Sequence, residues 1–139
     1  MIIADTGFWV ALLDRRDHLH QKARACAAQI CESLITTLPV ITEVCYLLQT
    51  RCGPKLSVEF LLAQQEGLFQ IFTLGELELP RMAILMRQYE NLPMDLADAS
   101  LVILAEHLGH GRIVSTDRRD FHTYRWKNHH PFQNLLEVD

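Results

Sequence analysis

Apolar residues fall along this chain in two rhythms: short unbroken runs that stop at turn residues, and longer stretches with apolar positions at helical spacing. Ile2 to Asp5 is a short apolar run halted by Asp5-Thr6-Gly7, the pattern of a buried strand followed by a turn. Phe8 to Leu13 predicts a short helix ending in the charged Asp14-Arg15-Arg16-Asp17, and the Ala-rich stretch from His18 to about Cys31 predicts a second. Leu34-Ile35-Thr36 predicts the second strand. Pro39 suits the first turn of a helix, where its missing N–H costs nothing; that helix runs through Val40, Val44, Tyr46, Leu47 and Leu48 until Gly53 and Pro54 stop it. Val58 to Gln65 predicts another helix, ended by Gly67. Leu68 to Thr73 alternates and is rich in β-formers, which predicts a third strand. Leu79 to Tyr89 has helical period. Pro93-Met94-Asp95 opens the clearest helix, with an apolar face of Leu101, Val102, Leu104, Ala105 and Leu108 and with Gly109 placed to end it. Arg112 to Ser115 predicts a fourth strand, Asp117 to His122 a short helical turn, and Leu135 to Val138 a terminal strand.

Strands alternating with helices specify an α/β fold with a central parallel sheet and helices on both faces. No repeat, low-complexity tract or linker interrupts the 139 residues, so residues 1–139 are expected to form a single domain. With 49% apolar and 22% charged residues the chain has a globular balance. Cys26, Cys31, Cys45 and Cys52 form no CxxC pair, and the histidines stand at no zinc-ligand spacing, which leaves four thiols suited to a reducing compartment. The amino terminus has no signal-peptide pattern, and no apolar run reaches the roughly 20 residues of a membrane helix. A cytoplasmic protein with no membrane association is expected.

In such a fold ligands sit at the carboxyl ends of the strands, where strand order reverses. Connectivity brings four acids there. Asp5 ends the first strand and Asp117 follows the fourth. Glu43 lies near the start of the helix leaving the second strand. The helix carrying Asp98 feeds the fourth strand through Gly109-His110-Gly111, so its start lies at the same edge. Unit charges 4 Å apart repel by about 4 kcal/mol at an effective dielectric of about 20, so four carboxylates require a cation or must take up protons. An all-oxygen set favours Mg²⁺ or Mn²⁺, and carboxylate-held ions suit phosphodiester hydrolysis. Each acid also has a local reading. Asp95 suits an N-cap with Asp98 in the first turn, Asp117 a cap of the turn after its strand, Asp5 an Asx-turn, and Glu43 a solvated helix position.

The formal net charge of −4 is unusual for a nucleic-acid binder. Setting aside Asp5, Glu43, Asp95, Asp98, Asp117 and Asp120 leaves 11 acids against 13 lysines and arginines, a remainder that permits RNA binding.

Asp5-Thr6 after an apolar strand, Thr42-Glu43 in an early helix, Asp98-Ala99 opening a later one and Thr116-Asp117 after a strand resemble the PIN-domain family. The stretches from Leu96 to Leu101 and from Ser115 to Phe121 look like the VapC-type bacterial toxin ribonucleases. The resemblance spans nearly the whole chain. It implies a three-layer α/β/α sandwich and Mg²⁺- or Mn²⁺-dependent endoribonuclease activity. It implies metal ligation and catalysis by Asp5, Glu43, Asp98 and Asp117, supported by the hydroxyls of Thr6 and Thr116. It also implies a homodimer and a cognate antitoxin partner. Arg15, Arg16, Arg118 and Arg119 are read as flanking the same edge and are candidates to hold the RNA backbone. Asp95 is assigned to capping and Asp120 to anchoring the turn beside Phe121. Trp9, Tyr124 and Trp126 are read as core or rim.

A phosphotransferase on a doubly wound sheet also uses strand-end acids, but the dehalogenase-like type requires a second Asp where this chain has Gly7, and the fit to a response-regulator receiver is poor. The non-enzymatic alternative is a catalytically degenerate PIN module acting through protein–protein binding.

Overall fold

The structure is a computed structural model and describes residues 1–136. Five parallel strands form its sheet: β1 (Ile2–Ala4), β2 (Leu34–Thr37), β3 (Gln70–Phe72), β4 (Arg112–Val114) and β7 (Gln133–Asn134), in the order β3-β2-β1-β4-β7. Helices α1 (Thr6–Leu13) and α2 (His20–Gln29) join β1 to β2. Helices α3 (Leu38–Cys52) and α4 (Pro54–Ala63) join β2 to β3. Helices α5 (Leu79–Gln88) and α6 (Leu96–Leu108) join β3 to β4, and the short α7 (Arg118–Thr123) follows β4. The result is the three-layer α/β/α arrangement expected from the alternation of strands and helices.

The chain moves outward from β1 through β2 to β3, then returns to the other side of β1 for β4. Strand order therefore reverses between β1 and β4, which opens a crevice at their carboxyl ends. Register fixes what faces it: Ala4 pairs with Val114, so Asp5 and Ser115 leave the sheet side by side, and the Asp5 N–H donates to Val114 O at 3.1 Å. All three residues of β1 are buried, as a central parallel strand covered on both faces requires. Helix α6 is apolar nearly all round and is the most buried helix, with Ala99, Leu101, Val102, Leu104 and Ala105 inaccessible. Gly109 ends it in the left-handed conformation (φ 78°). Trp9 packs among Phe8, Phe60 and Phe69, a core position as expected.

Two departures are set by side-chain contacts between elements. Among the described residues the last strand lies at Gln133–Asn134, and Leu135 and Leu136 of the expected terminal strand lie beyond it. The Asn134 side chain takes over the pairing there: Oδ1 accepts from the N–H groups of Ser115 and Leu136, both at 3.1 Å, and Nδ2 donates to Ser115 O at 2.9 Å. Leu135 keeps one ladder bond, to Ile113 O at 2.7 Å, and Val138 lies outside the described residues. An unexpected antiparallel hairpin, β5 (Arg125–Trp126) with β6 (His130–Pro131), packs on α6. Its turn puts Lys127 and Asn128 at φ 50° and 65°, a conformation rare for a side chain as long as lysine. Long-range bonds hold it: Lys127 N–H donates to Glu106 at 2.6 Å, and Arg81 binds both Glu106 and Asn128.

Candidate active site

Asp5 is the N-cap of α1: its Oδ1 accepts from Thr6 N–H at 2.7 Å and its Oδ2 from the Ser115 hydroxyl at 2.9 Å. It is only 6% exposed. Burial pushes its pKa up to about 7; the bonds from Thr6 and Ser115 oppose this, and the charges of Asp117 and Glu43 add to it. Glu43, in the second turn of α3, accepts from the Thr6 hydroxyl at 2.8 Å. Its pKa is raised by burial and by the Asp95 carboxyl lying against it, while Thr6 pulls the other way.

Asp98 stands in the first turn of α6. It forms a reciprocal capping box with Asp95, whose Oδ1 accepts from Asp98 N–H at 2.9 Å. Burial, then the charges of Asp5 and Asp95, push the Asp98 pKa up to about 8, against hydrogen bonds from Tyr124 and the backbone. Asp117 caps α7 through Asp120 N–H at 3.2 Å, and its own N–H donates to Ser115 Oγ at 2.9 Å. Its pKa is raised first by burial and then by Asp120.

The four acids expected at the strand ends are thus brought to one edge and sense one another electrostatically. Asp95 and Asp120 fill their capping and turn positions and also lie against Glu43 and Asp117. Local capping does not take these acids away from the edge: Asp5, Asp98 and Asp117 each make their capping bonds there. Among the described residues no ion pair with lysine or arginine reaches Asp5, Glu43 or Asp98. The donors are all carboxylate oxygens, a set that fits a hard divalent cation. The acids meet as pairs: among the described residues no three stand at metal-ligating distance from one point.

The hydroxyls divide differently from expectation. Thr6 bonds Glu43, but Ser115, not Thr116, holds Asp5. Thr116 rests on Gly7, where any β-carbon would collide with its Oγ1. Alternation along β4 is the signal for Ser115: the strand places Ser115 and Ile113 on one face, and the crevice opens where that face ends. Asn134 and Tyr124 have no motif signal. Asn134 fixes the backbone of Ser115, and the buried Tyr124 hydroxyl donates to Asp98 Oδ2 at 3.0 Å.

The arginines also separate. Arg118 and Arg119 are exposed in the first turn of α7, beside Asp117. Arg15 and Arg16 are not at this edge. Helix α1 carries them to the other end of α3, where Arg16 donates to Arg51 O at 2.7 Å and Arg51 pairs with Asp17. Arg51 lies eight residues beyond Glu43, about 12 Å along the helix. Beside Glu43 and Asp95 opens a groove of about 850 Å³, lined by Leu38, Pro39, Phe72, Leu79 and Met82. No helix among the described residues is long and apolar enough to cross a membrane.

The PIN domain family model matches residues 2–127. Ribonuclease VapC26 of Mycobacterium tuberculosis is 27% identical over 124 residues, covering 89% of this chain and 92% of that protein. The crystal structure of VapC20, a Sarcin-Ricin loop cleaving toxin of Mycobacterium tuberculosis, superposes with a TM-score of 0.79 at 19% identity, over 86% of this chain and 92% of its own. That second likeness is one of fold.

Proposed function

The chain belongs to the PIN domain family, and from that premise we propose that it is an endoribonuclease, the toxin of a toxin–antitoxin pair, which hydrolyses RNA phosphodiester bonds with Mg²⁺ or Mn²⁺. One observation carries the reading: Asp5, Glu43, Asp98 and Asp117, from four separate elements, lie along the carboxyl edge of the sheet with carboxyls that burial and neighbouring carboxylates, Asp95 and Asp120 among them, push upward. The similarity to Ribonuclease VapC26 along almost its full length supports the RNA substrate. A degenerate binding module would have no use for four desolvated carboxylates.

Asp5, Glu43, Asp98 and Asp117 would hold the cation, which when bound supplies a more acidic water and stabilises the leaving oxygen. The chain's own groups set the geometry. Ser115 and Thr6 N–H fix both oxygens of Asp5, so its carboxylate cannot rotate. The Thr6 hydroxyl holds Glu43 Oε2, and the raised pKa of this half-exposed acid suits it to orient a water or accept its proton. Arg118 and Arg119, exposed in the first turn of α7 beside Asp117, would bind phosphates flanking the scissile bond.

The cytoplasm is the proposed compartment, and a cognate antitoxin the proposed protein partner. A homodimer is proposed through the groove face, where Leu38, Leu79 and Leu96 are 62%, 55% and 44% exposed. Sedimentation showing only monomer at tens of micromolar would remove the dimer from the proposal.

The test is cleavage of structured and single-stranded RNA in Mn²⁺ by the wild type and by Asp98→Asn. Cleavage that is abolished by EDTA and by Asp98→Asn is the expected result. Equal cleavage by the wild type and the variant would show that the nuclease activity lies elsewhere or is a contaminant.

A further inference from the structure

Tyr124 ends α7 and is completely buried. The rings of Tyr89 and Phe121 pack edge-on against it, each with its centroid at 5.1 Å. Phenylalanine would serve this aromatic cluster equally well, and a buried phenol is costly unless its hydroxyl finds a partner. The partner here is Asp98: Tyr124 OH donates to Oδ2 at 3.0 Å. The same oxygen receives a longer bond from Asp95 N–H at 3.4 Å, whereas no protein donor among the described residues reaches Oδ1. The neighbouring phenol is engaged elsewhere: Tyr89 OH accepts from Arg125 N–H at 3.1 Å, and among the described residues the only hydroxyl that donates to Asp98 is that of Tyr124.

We infer that Tyr124 is a positioning residue for Asp98: its hydroxyl fixes the plane of that carboxylate by holding Oδ2, which leaves Oδ1, reached by no protein donor among the described residues, available to a cation. This rests on the nuclease reading of the acid site. The arrangement also gives α7 a role. Asp117 caps its first turn and Tyr124 closes its last, so a six-residue helix, about 9 Å long, spans two of the four acids. Displacing α7 would disturb Asp117 and Asp98 together. Partners that orient a metal-bound side chain typically change metal affinity by about 10–100-fold when removed.

The experiment compares wild type, Tyr124→Phe and Phe121→Leu, each stripped with EDTA. Mn²⁺ is titrated calorimetrically, and metal-free melting is measured in parallel. Tyr124→Phe removes one oxygen and keeps the ring; Phe121→Leu loosens the same cluster without touching Asp98. Expected is a fall of about 10–100-fold in Mn²⁺ affinity for Tyr124→Phe, with metal-free melting near wild type, and the reverse pattern for Phe121→Leu. If wild type and Tyr124→Phe bind Mn²⁺ equally, Tyr124 is a satisfied core hydroxyl and the inference is overturned while the site reading stands. If both variants lose affinity alike, the hydroxyl is not the cause and the inference also falls. Wild type that binds no Mn²⁺ overturns the site reading and this inference with it.

Discussion

Replacing Asp5 by asparagine should stabilise the metal-free protein, and more so as pH rises. Asp5 has a folded-state pKa of about 7 against an ordinary value of 3.8. Between these values the folded state holds a proton that the unfolded chain has released. Stability is therefore full below about pH 4, falls as pH rises through 7, and is level above. Each unit of pKa is worth about 1.36 kcal/mol, so ionising Asp5 in place costs about 4 kcal/mol at pH 8, of which about 3 kcal/mol develops between pH 5 and pH 8. Asparagine keeps an acceptor for Thr6 N–H and remains a good N-cap. Its amide faces Ser115, which must then turn its hydroxyl, a cost of about 1 kcal/mol. The net gain is about 3 kcal/mol at pH 8. At roughly 3–4 °C per kcal/mol for a chain of this size, the variant should melt about 10 °C higher. Differential scanning calorimetry in EDTA at pH 5 and pH 8, on wild type and Asp5→Asn, measures this directly. If the gap between the two proteins is the same at both pH values, the desolvation and repulsion assigned to Asp5 are wrong.

The same repulsion makes added cation stabilising: saturating Mn²⁺ at about 100 times its dissociation constant should stabilise wild type by about 3 kcal/mol and leave Asp98→Asn unmoved, read as melting shifts. Gly7→Ala drives a β-carbon into Thr116 and should cost about 1–3 kcal/mol; unchanged denaturant unfolding would show that Thr116 yields freely. In an Asp98→Asn background that binds RNA without cutting it, Arg118→Ala with Arg119→Ala should flatten the salt dependence of binding by about 1.4 in log–log slope. Arg15→Ala with Arg16→Ala should leave that slope alone, and the opposite result would move the RNA path to the far end of α3.

The sequence by itself determined the order of elements, because apolar periodicity reports burial one element at a time. Runs such as Ile2 to Ala4, the all-apolar face of α6 and the stop at Gly109 need only local physics. With the rule that ligands gather at strand carboxyl ends, that order sufficed to send Asp5, Glu43, Asp98 and Asp117 to one edge. Only the tertiary structure decided which neighbours hold them. Ser115 rather than Thr116 reaches Asp5 because Ala4 pairs with Val114, a register between strands about 110 residues apart in the chain. Arg16 points to Arg51 rather than the acids because the length and direction of α1 take it away from the crevice. The β5–β6 hairpin exists through Glu106 and Arg81, side chains on other helices, and the last strand stops where the Asn134 amide replaces the backbone. Tyr124 satisfies every sequence criterion for a core aromatic and is one. That its single polar atom lands on Asp98 is set by packing across α6 and α7, and periodicity carries no information about where such an atom points.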